Sequence, residues 1–197
     1  IVKIVNETQH LSNIGVSFGD PEFDIPKIRD HKNKIISQLN GGISQLAKAR
    51  NVDVLCGKAS FINNSEVVVE TSEKKEKIQF KNCIIASGST AAMLPNLPLD
   101  HPLVLTSKTA LDLDDIPGSL LIIGGGIIGL ELGQVYSTLG TDVSVVEYMP
   151  SLIPGADDDI AKPLIRKLKK HFKSIMLSSK VINVDVAFEE GVRVSIE

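Results

Sequence analysis

Residues 119–147, SLLIIGGGIIGLELGQVYSTLGTDVSVVE, restrict the fold more than any other stretch of this chain. An apolar run (119–123) ends in glycines, a helical pattern (127–139) stops at Gly140, and a second β-branched run (142–147) ends in Glu147. Strand, glycine turn, helix and strand in this order predict a βαβ unit. Parallel strands need such a crossover, so the unit predicts a parallel sheet covered by helices.

Within the turn the spacing is Gly124-x-Gly126-x-x-Gly129. Gly124 allows a sharp exit from the strand, Gly126 lets a pyrophosphate approach the main chain, and Gly129 allows close packing of helix on strand. The helix that follows offers free N–H groups to phosphates. Glu147 stands about twenty residues further on, where a carboxylate accepts hydrogen bonds from the adenosine ribose hydroxyls and repels a 2′-phosphate. The pattern therefore predicts a dinucleotide site that prefers NAD to NADP. Three glycines in an ordinary surface turn do not account for an acid at the tip of the second strand. Glu131, two residues past Gly129, has two readings: a carboxylate satisfied by the helix dipole, or one paired with a lysine near the reacting end of a cofactor.

Upstream, IPKIRDHKNKIISQLNGGISQLAKA (25–49) places Ile28, Ile35, Leu39, Ile43 and Leu46 at helical spacing. Gly41 and Gly42 weaken its middle, which predicts a close backbone neighbour or a kink there. VDVLCG (52–57), SEVVVET (65–71), KIQF (77–80) and NCIIASG (82–88) read as short strands, the last apolar enough for a central one. Three prolines in MLPNLPLDHP (93–102) predict a fixed extended connection. Thr106 or Ser107 is placed to cap a short helix ending before Pro117. A later helix, 157–172, starts in DDD and ends in RKLKKHFK, a charge order that suits the helix dipole. Strands are predicted at 180–186 and 191–197. The chain starts at Ile1 and ends in an alternating run without a closing turn, which predicts a piece cut inside a domain at one or both ends.

A formal net charge of −3 gives no long-range attraction to nucleic acid or anionic lipid, and no apolar run is long enough to span a bilayer. Without aromatic interleaving, RKLKKHFK reads as a solvated helix face. His10, His31, His101 and His171 form no spaced set of metal ligands, and Asp157, Asp158 and Asp159 read as helix-start acids. Cys56 and Cys83 fit neither a CxxC motif nor a metal knuckle and read as two buried thiols in a reducing, cytoplasmic setting.

IIASGS, followed by GGGIIGLELGQVYSTLGTDVSVVE and preceded by LNGGISQLAKARNVDVLCGKASF, resembles the flavoprotein disulfide reductase family, in particular its dihydrolipoamide-oxidising branch. The resemblance covers essentially the whole chain. It implies Rossmann-like FAD- and NAD(P)-binding domains with a parallel sheet and a small antiparallel β-meander, incomplete at both ends. Residues 1–112 are then the latter part of the FAD-binding domain and 113–197 the start of the NAD-binding domain. Ala59, Ser87, Gly88 and Ser89 match positions against FAD. Gly124, Gly125, Gly126, Ile127, Ile128, Gly129, Leu130, Glu131 and Glu147 match NAD contacts, and Val181 matches a position near the adenine. Ser87 replaces a frequent threonine, and Ile127 stands where some relatives carry a gating tyrosine. Glu131 corresponds to a carboxylate near the flavin whose lysine partner is absent from this chain.

The activity implied is electron transfer from dihydrolipoamide through a disulfide and FAD to NAD⁺, in a homodimer that serves lipoyl domains of 2-oxoacid dehydrogenase complexes. The redox cysteine pair and the acid/base histidine find no match in this chain, so no catalytic residue is assigned. Two alternatives stay open: a non-catalytic dinucleotide-binding module, and a sibling flavoprotein reductase with another substrate.

Overall fold

The computed structural model describes every residue except Met93, Pro95, Asn96, Glu189 and Glu190. It forms two compact units, one made of Ile1–Arg29 with Ala91–Glu197 and the other of Asp30–Thr90.

The first unit begins with α1 (Val2–Leu11) and a short 3₁₀ turn (Ser12–Ile14), followed by the first residues of α2 (Ile25–Ala49). After α3 (Ser107–Ala110) come β4 (Ser119–Ile123), α4 (Ile127–Thr138), β5 (Asp142–Val146), α5 (Asp158–His171) and β6 (Ser174–Met176), and the hairpin β7 (Val181–Phe188) and β8 (Gly191–Ile196) closes the unit. Strands β1 to β3 belong to the second unit. Strands β4, β5 and β6 form a parallel sheet with β5 in the middle. The expected βαβ unit is thus present, with β6 as a third strand that the sequence reading lacked. SIM is too short to display a period.

Apolar residues of α4 and α5 face this sheet. Leu130, Tyr136 and Leu139 from α4, Val143 and Val145 from β5, Leu168 from α5, and Leu152 and Phe172 from the connections form one buried cluster. At about 25 cal/mol per Å² of apolar surface removed from water, this burial is the main stabilising term of the unit. The N-terminus of α5 carries Asp158 and Asp159, and its last turn carries Lys169, Lys170 and His171, the charge order that opposes the helix dipole. Thr106 caps α3 in a reciprocal pair with Thr109.

The second unit contains the rest of α2 and an antiparallel meander of β1 (Lys58–Asn63), β2 (Glu66–Glu70) and β3 (Lys75–Gln79). Val67, Val68 and Val69 run along the middle strand, and Val69 is buried. The ion pair Lys75–Glu70 crosses the second turn, and Lys74 pairs with Glu76 on its far side. Helix α2 runs unbroken through Gly41 and Gly42. The expected close backbone neighbour is not found among the described residues, since space is open within 4 Å of where a Cβ would stand at each glycine.

Four further expectations are corrected. VDVLCG is not a strand; pairing begins at Lys58, where the alternating partner run β2 supplies a register. NCIIASG is not a strand either. No described strand pairs with it, and Ile84 and Ile85 stand 91% and 73% exposed. Cys56 and Cys83 are exposed rather than buried, because each lies in one of these unpaired segments. The proline-rich stretch lies partly outside the described residues. From Leu97 onward it is a chain of tight turns, with Leu99 N–H donating to Leu97 O (2.9 Å), His101 N–H to Pro98 O (3.1 Å) and Val104 N–H to His101 O (2.9 Å). A fixed proline φ suits a turn as well as an extended segment.

Candidate functional site

The register of the parallel sheet builds the site. Ile123 lies opposite Val146, so Gly124 and Glu147, the next residue on each strand, leave the sheet together at its carboxyl end. Gly124 N–H continues the ladder to Val146 O (2.8 Å), and Glu147 N–H does the same to Met176 O (2.8 Å). Ligands of open parallel sheets bind at this end.

Each glycine of the turn has a distinct geometry. Gly124 has φ +104°, a conformation that side-chain-bearing residues rarely adopt. Gly126 is the N-cap of α4, and space is open around where its Cβ would be. At Gly129 a Cβ would lie 2.7 Å from Gly124 O and 2.9 Å from Ile122 Cγ2, so this glycine seats the helix on the strand. The conformation of Gly124 and the packing of Gly129 are those that the spacing predicts.

Gly125 and Gly133 add two more. A Cβ at buried Gly125 would run into Leu152 Cδ2, and one at Gly133 would lie 2.8 Å from both Ile122 Cδ1 and Phe172 Cζ. Gly133 was not among the expected positions. Its signal was available, because Gly129 and Gly133 are four apart and share one face of the helix.

The first intrahelical bond of α4 runs from Leu130 N–H to Gly126 O (3.1 Å). The N–H groups of Ile127, Ile128 and Gly129 therefore precede the helical ladder and point out of the helix start with the positive end of its dipole. Ile127 and Ile128 extend exposed side chains, each 61% accessible, whereas Leu130 is buried in the core. Glu131 is exposed, and no ion pair reaches it among the described residues.

Glu147 is the buried acid of the site. Its Oε2 accepts the Gly125 N–H at 2.6 Å and its Oε1 accepts the Met149 N–H at 2.7 Å. An ionised carboxylate has about four acceptor positions, so two remain for hydroxyl donors of a ligand. The carboxylate thus joins the glycine turn to the exit of β5, a backbone function that the residue's place at a strand tip did not reveal.

The remaining expected residues lie elsewhere. Val181 opens β7 and is half-buried. Ala59 is on β1 opposite Val69, and Ser87, Gly88 and Ser89 belong to the exposed segment after β3, with Gly88 at φ +73°. All four belong to the second unit.

Comparison with known proteins gives the chain's relatives. The family model described as pyridine nucleotide-disulphide oxidoreductase matches residues 3–193. A dihydrolipoyl dehydrogenase of Vibrio parahaemolyticus is 43% identical over 197 residues, all of this chain and 41% of the relative. One from Vibrio cholerae is 42% identical with the same coverage. The chain thus spans about two fifths of the length of these relatives. Among solved structures, LpdA of Mycobacterium tuberculosis superposes with a TM-score of 0.86 at 20% identity, over 99% of this chain and 43% of that one, a likeness of fold alone. The HOCl-induced flavoprotein disulfide reductase RclA of Escherichia coli matches with a TM-score of 0.78 and 28% identity, over 100% of this chain and 42% of that one. With the family model matched over nearly its full length, the chain belongs to the pyridine nucleotide-disulphide oxidoreductase family.

Proposed function

We propose that this chain is the cofactor-binding middle of a dihydrolipoyl dehydrogenase, with residues 113–197 holding NAD and residues 1–112 contributing to an FAD-binding domain. One observation carries the NAD part. The open Gly126, the uncommitted N–H groups at the start of α4 and the Glu147 carboxylate converge at the carboxyl end of the β4–β5 pair.

That convergence fits a dinucleotide. The helix start attracts the pyrophosphate, the lack of a side chain at Gly126 lets it approach the main chain, and Glu147 orients the ribose through its spare acceptor positions. Buried negative charge at that point repels a 2′-phosphate, which favours NAD over NADP. For FAD, the proposed contacts are Ala59, Ser87, Gly88 and Ser89, whose exposure in the second unit leaves their backbone accessible. The flavin, when bound, supplies the two-electron step between a dithiol and the nicotinamide.

The 43% identity to a dihydrolipoyl dehydrogenase supports dihydrolipoamide as the electron donor. On this reading the whole protein is a cytoplasmic homodimer that takes electrons from lipoyl domains of 2-oxoacid dehydrogenase complexes. The weaker likeness to RclA, at 28% identity, favours a second reading as a sibling reductase. An assay of the full-length protein separates them. Bound flavin absorption together with dihydrolipoamide-dependent reduction of NAD⁺ is the expected result. A flavoprotein inert toward dihydrolipoamide would favour the sibling, and a protein without flavin would overturn both.

A further inference from the structure

We propose that Leu152 and Ile153, which lie outside the glycine fingerprint, are positioning residues that fix the middle glycine of the turn for dinucleotide binding. The proposal rests on the reading of that turn as an NAD site.

Three successive glycines have more backbone freedom than any other tripeptide. In this chain the middle one is held on three sides. Gly125 N–H is bound by Glu147 Oε2, its carbonyl accepts the Ile153 N–H at 2.9 Å, and its Cα surface is covered by the Leu152 side chain. Leu152 is 1% exposed and belongs to the buried cluster that includes Val143 and Val145 of β5, so its position is set by the sheet itself.

Ile153 shows what maintains the contact. Its φ is +53°, a left-handed conformation that a β-branched residue rarely adopts. A tight turn follows it directly. Pro154 and Gly155, the latter at φ +96°, occupy the two central positions of a turn closed by Ala156 N–H donating to Ile153 O at 3.1 Å. Proline followed by a positive-φ glycine is the pattern of a type II turn. The Ile153 N–H at the entry to this turn bonds Gly125, so the backbone strain at Ile153 lies where it holds the glycine turn.

A turn held in its binding conformation avoids the ordering cost that a loose triglycine pays when ligand arrives. Core packing by itself accounts for the burial of Leu152. It does not predict that loosening Leu152 weakens a ligand that never touches it, and the test reads that difference.

The test is calorimetric titration of NAD⁺ and NADP⁺ into the full-length flavoprotein, unsubstituted and carrying Leu152→Ala or the milder Leu152→Val. Thermal unfolding and flavin absorbance are recorded on each sample. The expected result is NAD⁺ affinity about tenfold weaker for Leu152→Ala, a smaller loss in the same direction for Leu152→Val, and an unchanged ratio of NAD⁺ to NADP⁺ affinity. If Leu152→Ala does not fold, Leu152→Val decides. Folded variants that bind NAD⁺ as tightly as the unsubstituted protein, whatever their Tm, overturn the positioning role and leave the dinucleotide site standing. No NAD⁺ binding by the unsubstituted protein overturns both.

Discussion

Glu147 and Gly125, separated by 22 positions in sequence, are joined by a buried 2.6 Å hydrogen bond from the glycine N–H to the carboxylate. The other carboxylate oxygen holds the Met149 N–H. Glu147→Gln keeps the shape but turns an amide NH₂ toward one of these two donors, leaving either the buried Gly125 N–H or the part-buried Met149 N–H unpaired. That costs about 1–3 kcal/mol. Thermal unfolding of the ligand-free, full-length protein should show a lower Tm for this variant, and an unchanged Tm would mean that the two bonds hold nothing.

Gly129 and Gly133 are predicted to tolerate alanine unequally. A methyl group at Gly129 meets a backbone oxygen, whereas at Gly133 it meets the ends of the Ile122 and Phe172 side chains. Overpacking costs about 1–3 kcal/mol, and replacing a helical glycine returns about 1 kcal/mol. Side chains can give way more cheaply than backbone, so Gly129→Ala should lower Tm more than Gly133→Ala. The reverse order would show that β4 and α4 are not in the contact described.

Tyr136 donates its hydroxyl to Ala110 O at 2.8 Å inside the core. Burial raises its pKa above the usual value near 10, and the negative charges of Asp114, Asp115 and Asp112 add to the rise. Because the folded value exceeds the unfolded one, the associated stability is complete below about pH 10 and is lost as pH rises through the folded value. Tyr136→Phe should therefore be less stable at neutral pH, by about 0.5–1.5 kcal/mol, with a gap to the unsubstituted protein that narrows in alkali. Denaturant unfolding at neutral and alkaline pH measures that gap, and a constant gap would contradict the shift.

Ile84 and Ile85 are 91% and 73% exposed, and Leu39 and Ile43 of α2 are 64% and 65% exposed in the same unit. Apolar surface of this kind drives association when nothing covers it. Residues 1–197 expressed by themselves should self-associate and show no dihydrolipoamide activity. Light scattering after size-exclusion chromatography checks the first point. A stable monomer at high concentration would show that these side chains are harmless in water.

The sequence made the βαβ unit legible for physical reasons. A helical period between two β-branched runs permits few folds, whereas the two backbone N–H groups that the Glu147 carboxylate holds left no mark in the sequence. The long period of 25–49 gave α2 its full length, matching Ile25–Ala49. What was lost depended on partners distant in the chain. SIM became β6 only because β5 offered it an edge. CIIA, apolar enough for a central strand, found no strand beside it among the described residues. The hold of Leu152 and Ile153 on Gly125 joins residues 27 and 28 positions apart through backbone and core contacts that leave no periodic trace.

We propose that the turn Gly124–Gly129 and Glu147 together select NAD. Equilibrium titration of the full-length protein with NAD⁺ and NADP⁺, before and after Glu147→Arg, tests it most directly. NAD⁺ should bind at least about tenfold tighter than NADP⁺ to the unsubstituted protein, a gap of about 1.4 kcal/mol, and the variant should have a weakened, less selective site. Equal affinities for the two dinucleotides, unchanged by the substitution, would contradict it.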